Sequence, residues 1–171
     1  LNSRLPYAVV KNVGEAFCTS YQKEFGLDYT IFRFFNTYGP KQSTDFVLSK
    51  FLRAALKNEN ITIYGDGSQS RTFCYINDNI DATVDAFYNN YYLNDVMNVG
   101  NDIETPILEL AQQIIALSGS KSQIVHLPPL KEGDMRRRLP HLSRMKKLLN
   151  RPLVTLEEGI GKMLTCGRFN D

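Results

Sequence analysis

Helix-forming and strand-forming segments alternate along this chain of 171 residues, and this alternation limits the fold more than any other feature. Some segments repeat apolar residues at helical spacing, while other short runs are almost wholly apolar and rich in β-branched and aromatic residues. Short, almost wholly apolar runs are typical of strands in parallel sheets that are covered on both faces. The pattern therefore predicts an α/β fold. The helices are predicted at about 7–25, 45–57 and after 106, and the strands at 29–35, 61–64, 72–76, 96–99 and 124–127.

Cap signals predict where further helices begin and end. Asn77 or Asp78 is predicted to cap the helix that follows the third strand. Thr105-Pro106 is predicted as a cap with a proline in the first helical position, and Gly119 as the stop of that helix. Residues 155–158 read TLEE, which is a capping box before a last helix.

The charge balance and the cysteines limit the class of protein. Lysine and arginine total 20 against 18 acidic residues, and this net charge of +2 argues neither for nor against a nucleic-acid partner. Three cysteines without a CxxC spacing argue against a disulfide framework or a zinc ribbon, which indicates a reducing, cytoplasmic compartment. No apolar run approaches about 20 residues, so no membrane span is predicted. Because the chain begins at Leu1 and enters a helix almost at once, we expect a fragment.

Tyr7 and Lys11 stand four residues apart at the start of the first predicted helix, so their side chains lie one above the other. An ammonium close to a phenol favours the phenolate, the form that acts as a general base. Taken alone, a Tyr-x-x-x-Lys spacing more often marks an exposed pair on a helix. Its meaning therefore depends on the motifs that follow it.

Several motifs follow in a fixed order. Residues 6–11 read PYAVVK and open the long helix, and residues 33–40 read RFFNTYGP at the end of the next strand. Residues 63–78 read IYGDGSQSRTFCYIND, residues 97–100 read MNVG, and residues 156–159 read LEEG. This order resembles the C-terminal portion of the NAD-dependent nucleotide-sugar epimerases/dehydratases, which are extended short-chain dehydrogenases/reductases. The resemblance covers essentially the whole chain.

The resemblance implies the C-terminal part of a Rossmann-type parallel sheet together with the smaller α/β substrate-binding domain. Residues 1–40 would supply the last helix and strand region of the Rossmann domain. Residues 41–171 would form mostly the substrate domain, with segments that return to the Rossmann sheet. The resemblance also implies NAD as the cofactor, a nucleotide-diphosphate sugar such as a UDP-sugar as the partner, and a homodimer in the full-length form. It implies neither a nucleic acid nor a membrane as a partner.

The family's roles transfer to matching positions on the first helix and strand. Tyr7 would accept the proton of a sugar hydroxyl while NAD takes hydride from the same carbon. Lys11 would hold the nicotinamide ribose and tune Tyr7. Phe34 and Asn36 would also contact the cofactor, and Asn36 would in addition donate to the diphosphate of the sugar nucleotide.

Other roles transfer to positions in the rest of the chain. Arg71 would pair with the diphosphate, because a planar guanidinium fork suits phosphate oxygens. Tyr64 would lie beside the base, and Asp134 beside the ribose. Arg138 is a further candidate for the phosphates, with the register among residues 136–138 left open.

Structural roles compete with functional ones at several positions. Arg33 lies in an apolar strand, which favours a structural ion pair over a ligand contact. The arginines at 136–138 also fit a solvated basic face. His126 and His141 lack partners at metal-ligand spacing, so both are interpreted as structural and no metal site is predicted. The residues interpreted as core or pocket wall are Cys18, Phe34, Phe35 and Tyr38.

Two parts of the family's cofactor site are absent from the sequence. No G-x-G-x-x-G or G-x-x-G-x-x-G occurs, so the chain lacks the Gly-rich turn that binds the dinucleotide. The catalytic Ser or Thr that the family places upstream of its Tyr is also absent, because the spacing of Ser3 from Tyr7 does not fit that role. We therefore expect the chain on its own to be inactive.

The resemblance leaves several related reactions open. Residues 64–75 look most like UDP-glucuronate decarboxylases and their epimerase relatives. Those decarboxylases usually read YDEGK where residues 7–11 read YAVVK, and this departure favours 4-epimerisation through a 4-keto intermediate. UDP-glucuronate decarboxylation and sugar-nucleotide dehydration stay as alternatives. A hypothesis of another class is a non-catalytic fragment that binds sugar nucleotides.

Overall fold

A computed structural model describes residues 5–130, 137–167 and 169 of the chain. Helices and strands alternate along it, so the predicted α/β class is confirmed. The helices of this described part are α1 (Leu5–Phe25), α2 (Val47–Leu56), α3 (Ile76–Tyr88), α4 (Ile107–Ser118), α5 (Ser143–Leu149) and α6 (Leu156–Thr165). Its strands are β1 (Thr30–Phe34), β2 (Thr37–Tyr38), β3 (Ile61–Tyr64), β4 (Ser70–Thr72), β5 (Cys74–Tyr75), β6 (Asp95–Val99), β7 (Glu104–Pro106) and β8 (Ile124–Leu127).

The strands pair two by two, and most of the pairs are parallel. β1 lies parallel to β6, with Thr30 opposite Asp95. β2 lies parallel to β5, and β3 lies parallel to β8. β4 and β7 instead run antiparallel, with Arg71 opposite Thr105. Parallel strands need long crossover connections, which explains why the partners of each parallel pair are far apart in the sequence.

The first hydrophobic core lies among α2, α4, α6 and β3. α2 contributes Leu48, Phe51 and Ala55, which share one face because they recur every three or four residues. α4 contributes Leu110 and Ile114 at the same spacing. Each fully buried large apolar side chain of this kind contributes about 1.5–3 kcal/mol to folding.

The second core joins β6 to α3 and α5. Met97 and Val99 lie on the same face of β6, because alternate residues of a strand point the same way, and both are fully buried. Ala82 and Ala86 of α3 and Met145 of α5 complete the core. β6 is therefore a buried strand, as predicted.

The prediction that β1 is a buried strand is wrong. Arg33 and Phe34 are exposed, and Phe34 exposes 55% of its surface. The physical reason is that, among the side chains of β1, only Phe32 packs against one of the two cores, and β1 pairs with β6 alone among the described residues, so its other edge is open. α1 likewise keeps apolar side chains in solvent, and such a surface usually has a partner. The large apolar side chains exposed on α1 are Tyr7, Val9, Val10, Val13, Phe17, Tyr21 and Phe25.

The predicted cap at Asn77 or Asp78 is also wrong. α3 begins at Ile76, and no side-chain hydrogen bond caps it. Asp78 is fully buried instead, and its carboxylate accepts from Arg151 Nη1 at 2.7 Å and from the Val154 N–H at 2.9 Å. These partners lie more than seventy residues away, so no local pattern could reveal them.

Two strand boundaries differ from the sequence prediction. The strand predicted at 72–76 is divided at Phe73 into β4 and β5, because β4 pairs with β7 while β5 pairs with β2. Pro106 ends β7 and does not open α4, since it is paired with Ser70 across the β4–β7 ladder. The end of a strand tolerates proline, which has no N–H to donate.

Other local predictions are confirmed. Thr155 Oγ1 accepts the N–H of Glu158 at 3.2 Å, which caps α6. Gly119 has φ +64° and ends α4 in the left-handed conformation. Arg33 donates to Glu15 from Nε at 2.7 Å and from Nη2 at 2.5 Å, so its predicted structural ion pair exists. These hydrogen bonds from Arg33 hold the pKa of Glu15 below its usual value.

The packing of α6 on Tyr38 yields a stability prediction. A Cβ at Gly159 would lie 1.9 Å from the Tyr38 hydroxyl oxygen, so Gly159→Ala forces the core to move. We expect the free energy of unfolding to fall by about 1–3 kcal/mol, measured by urea denaturation followed by circular dichroism. Gly161→Ala in the same helix is the control, because nothing lies within 4 Å of its added Cβ. It should raise stability by about 0.5–1 kcal/mol, and equal effects of the two substitutions would contradict this packing.

Candidate functional site

The Tyr7–Lys11 pair lies at the N-terminal end of α1. Lys11 Nζ is 5.4 Å from the centroid of the Tyr7 ring, within the range of a cation–π contact. Tyr7 exposes 68% of its surface, so its phenol is accessible to a reactant. The predicted contact between the two side chains is present, while their catalytic roles stay predictions.

Asn36 lies directly after β1 and carries an unpaired donor. Its φ of +39° is in the left-handed region, which Asn enters more readily than most residues. Its carbonyl accepts the Cys74 N–H at 3.2 Å. Its Nδ2 atom is buried without a hydrogen-bond partner among the described residues. Such a group destabilises a protein by about 1–3 kcal/mol unless a ligand or water completes it, which makes Asn36 a candidate binding residue.

A cavity of about 940 Å³ lies between α2, β3 and β4. Tyr64 and Arg71, which the sequence assigned to the base and the diphosphate, both line it. Arg71 is partly buried, and its Nη1 donates to the Ser70 carbonyl at 2.7 Å. Tyr64 remains 43% exposed, which leaves one side of its ring accessible. The structure therefore brings these two predicted substrate residues to one pocket.

A tight turn after β3 forms one wall of the cavity. Gly67 has φ +78°, and a Cβ there would lie 2.9 Å from Leu108 Cβ, so the position requires glycine. Asp66 Oδ1 accepts the backbone N–H of Ser68 at 2.9 Å and its hydroxyl at 2.8 Å. The Ser68 N–H lowers the pKa of Asp66, so this pocket wall stays anionic well below neutral pH.

Two further charged residues of this cavity were missed by the sequence analysis. Asp45 and Lys50 both line it, Asp45 from the turn before α2 and Lys50 from the exposed side of that helix. A charged residue on the outer face of a helix normally faces water, and the sequence gives no sign that another element lies opposite. Only the tertiary arrangement of α2 against β3 reveals their place.

The structure assigns a partner to one of the arginines whose register was left open. Arg137 Nε lies 3.0 Å from both carboxylate oxygens of Glu104, and its Nη2 lies 2.8 Å from Oε2. Glu104 Oε1 also accepts the Ser70 hydroxyl at 2.8 Å. The hydrogen bond from Arg137 lowers the pKa of Glu104. Arg138 is exposed, while Asp134 and Arg136 lie outside the described residues.

The predicted residues form three groups. Tyr7 and Lys11 lie on α1, Phe34 and Asn36 lie at the C-terminal end of β1, and Tyr64 and Arg71 line the cavity. Asn36 is joined to the third group through its bond to Cys74, three residues after Arg71, or roughly 10 Å along extended chain. Phe34 is exposed, which excludes the core role predicted for it, while its role in a pocket wall stays a prediction. Tyr38 and Phe35 are buried or partly buried, as the core or wall prediction required.

The histidines have structural partners. His126 Nδ1 lies 2.8 Å from the Gly65 carbonyl, and His141 Nδ1 lies 3.3 Å from Ser143 Oγ. Within residues 5–130 and 137–167, no three His, Cys, Asp or Glu side chains are arranged to hold a metal ion. None of the helices in these ranges has the length and apolarity required to cross a membrane.

Comparisons with known proteins identify the family of the chain. The model of the "NAD dependent epimerase/dehydratase family" matches residues 1–100. The chain is 37% identical over 167 residues to UDP-glucuronic acid decarboxylase 1 of Danio rerio, across 96% of this chain and 39% of that protein. It is 35% identical over 166 residues to UDP-N-acetyl-alpha-D-glucosaminuronate decarboxylase of Bacillus cytotoxicus, across 92% of this chain and 51% of that protein.

Solved structures give the same result for the fold. UDP-glucose 4-epimerase from Thermotoga maritima, in complex with UDP-glucose, aligns with a TM-score of 0.86 at 30% identity, over 94% of this chain and 52% of that one. UDP-glucuronic acid 4-epimerase from Bacillus cereus, in complex with UDP-glucuronic acid and NAD, aligns with a TM-score of 0.84 at 31% identity, over 94% and 51%. The chain therefore spans about half the length of these structures, and about two fifths to one half of the curated relatives above.

The unpaired amide of Asn36 yields a prediction about stability. Asn36→Gly removes a buried donor without a partner and relieves the left-handed backbone. We expect the free energy of unfolding to rise by about 1 kcal/mol, because these gains exceed the greater flexibility of glycine in the unfolded chain. The control is Asn58→Gly, since Asn58 also has a positive φ but its Oδ1 accepts the Lys121 N–H at 2.8 Å. That variant should lose stability, and a loss of the same size at Asn36 would contradict the geometry described.

Proposed function

Because the chain belongs to the NAD dependent epimerase/dehydratase family, we propose that it supplies the sugar-nucleotide half of an enzyme that modifies a nucleotide-diphosphate sugar with NAD as its cofactor. The observation that carries the proposal is the cavity that joins Tyr64 and Arg71. An aromatic ring suits a nucleotide base, and a guanidinium fork suits a diphosphate. A UDP-sugar is favoured, because the relatives named above carry UDP-sugars in their names or complexes.

The described residues fit part of a dinucleotide site. Asn36 holds a buried amide donor that has no acceptor within the described ranges, and Phe34 beside it presents an exposed ring. Tyr7 and Lys11 add an accessible phenol and an ammonium. The sequence contains no Gly-rich turn, and we propose that a second, dinucleotide-binding half completes the site. The exposed apolar face of α1 and the open edge of β1 are the surfaces that such a half would cover.

The chemistry assigned to this chain is proton transfer at Tyr7. When bound, NAD supplies a hydride acceptor that returns the hydride later in the cycle. As the sugar C–H leaves as hydride, the hydroxyl on the same carbon gives its proton to the Tyr7 oxygen, and a ketone forms. Lys11 Nζ lies 5.4 Å from the centroid of the Tyr7 ring, so an ammonium stands beside the phenol that would act as the general base. On reduction, Tyr7 returns the proton to the new hydroxyl.

We propose 4-epimerisation through a 4-keto sugar as the reaction. It is supported by the YAVVK sequence at residues 7–11 and by the similarity to two 4-epimerase structures. UDP-glucuronate decarboxylation is the second candidate, because the two curated relatives named above are decarboxylases. A homodimer is expected for the full-length form.

Substitution of Tyr7 tests the proposed chemistry. In the enzyme that carries this chain with its dinucleotide-binding half, Tyr7→Phe should lower kcat by at least about 100-fold with little change in KM, because it removes the general base. Tyr21→Phe is the control, since Tyr21 is also exposed on α1. The substrates are UDP-glucose and UDP-glucuronic acid, and the products are followed by NMR. A 4-epimer supports epimerisation, release of CO₂ from the uronic acid supports the second candidate, and full activity of Tyr7→Phe would refute both.

Substitution of Arg71 tests the substrate pocket in the 171-residue chain alone. We expect this chain to bind UDP in calorimetry but to turn over no UDP-sugar when NAD is added. Arg71→Gln should raise the Kd for UDP by about 10-fold to 100-fold, which corresponds to the loss of charged hydrogen bonds. Arg53→Gln is the control, because Arg53 is exposed on α2 and does not line the cavity. Equal Kd values for both variants would contradict the proposed diphosphate site.

A further inference from the structure

Three polar side chains form a hydrogen-bonded chain inside the fold, next to Asn36. The Asn79 Nδ2 atom donates to Thr37 Oγ1, and the Cys74 thiol donates to Asn79 Oδ1 at 2.8 Å. Cys74 is fully buried, Asn79 is 2% exposed, and Thr37 is partly buried. The chain links β2, β5 and the first turn of α3. Its members therefore join three elements of the fold beside Asn36.

The surroundings of this chain are apolar. Cys74 belongs to the second core, with Ala82 and Met97 among its members. Burial raises the pKa of the Cys74 thiol to about 12, so it stays protonated and acts as the donor to Asn79. The carboxylate of Asp78 acts in the same direction, and only the Arg151 charge opposes it. Apolar side chains at these positions would pack without needing hydrogen-bond partners. The presence of three hydrogen-bonded polar side chains therefore indicates a role other than filling the core.

Both ends of this hydrogen-bonded chain of side chains are connected to Asn36. Thr37 follows Asn36 directly, and the backbone N–H of Cys74 donates to the Asn36 carbonyl at 3.2 Å. Asn79 thus links Thr37, which follows Asn36, to Cys74, whose N–H donates to the Asn36 carbonyl. Asn enters the left-handed region more readily than most residues, and the contacts on both sides of Asn36 support that conformation here.

We propose that Asn79 is a positioning residue, which acts through Thr37 and Cys74 to hold Asn36 in its left-handed conformation and to aim its Nδ2 atom at a phosphate oxygen of the sugar nucleotide. The proposal rests on the proposed function, since the ligand is the nucleotide diphosphate of that site. It deepens that function by naming residues that never touch the ligand. The position of the Asn36 Nδ2 atom, which has no hydrogen-bond partner among the described residues, is what Thr37, Asn79 and Cys74 would determine.

The test compares two substitutions at Thr37 in the 171-residue chain. Thr37→Val keeps the shape but removes the acceptor for Asn79, whereas Thr37→Ser keeps the hydroxyl but loses a methyl group. We expect Thr37→Val to raise the Kd for UDP in calorimetry by about 5-fold to 10-fold, the effect of one lost hydrogen bond, and Thr37→Ser to restore binding. Thr165→Val is the control, because the Thr165 hydroxyl lies on α6 and donates to the Lys162 carbonyl at 3.1 Å, away from Asn79.

A second readout keeps the outcome independent of UDP binding. The ¹⁵N side-chain amide and the backbone shifts of Asn36, assigned by their loss in Asn36→Gly, report its conformation without ligand. Changed shifts in Thr37→Val, with wild-type shifts in Thr37→Ser, support the positioning role. Unchanged shifts in Thr37→Val, or a loss of binding in Thr37→Ser alone, overturn it in favour of a packing role. If the wild-type chain binds no UDP, the proposed function fails, and these shifts still decide the positioning.

Should Thr37→Val fail to fold, the pair Cys74→Ala and Cys74→Ser replaces it. Cys74→Ala removes the donor to Asn79 Oδ1, and Cys74→Ser retains a donor in the same place. The Asn36 shifts should change in the alanine variant and return in the serine variant. Identical spectra of the two variants would overturn the proposal.

Discussion

The buried carboxylate of Asp78 is the contact on which the arrangement of the two cores depends. It accepts from Arg151 and from the Val154 N–H, and so ties the first turn of α3 to the segment that enters α6. α3 packs on the second core and α6 on the first, so the carboxylate connects elements of both. A buried charge that loses its partner destabilises a protein by about 3–5 kcal/mol, whereas the intact pair is satisfied. Arg151 also pairs with Asp81 at 2.5 Å, which keeps the guanidinium in place.

Part of the candidate site lies near the ends of the strands β1, β4 and β5. Asn36 follows the C-terminal end of β1, and Arg71 lies in β4, one short step in the chain before β5, whose Cys74 bonds Asn36. In open α/β sheets, ligands bind beyond the carboxyl ends of the strands, because loops there can present side chains without disturbing the ladder. The candidate site thus combines Asn36 at a strand end with side chains carried by α1, β3 and β4.

Much of this structure could be predicted from local patterns. The spacing of Leu48, Phe51 and Ala55 predicts α2 and its buried face, and the TLEE sequence predicts the start of α6. Tyr7 and Lys11 were also predictable, since helical geometry alone brings them together. Local patterns fail where a distant residue decides. The carboxylate of Asp78 was expected at a helix cap, but Arg151 places it in the interior, and the Thr37–Asn79–Cys74 chain carries no sequence signature at all.

The exposed apolar face of α1 and the open edge of β1 are surfaces on which another molecule can bind, so the stability of the folded chain depends on the concentration of that molecule. Any molecule that binds the folded form and not the unfolded form adds RT ln(1 + [L]/Kd) to its stability. Each tenfold rise in the concentration of that molecule above its Kd therefore adds about 1.4 kcal/mol. This chain has a large apolar surface in water, so its measured stability depends on how tightly it binds the molecule that buries that surface. A melting temperature has meaning for such a chain only together with the concentration of the molecule that covers it.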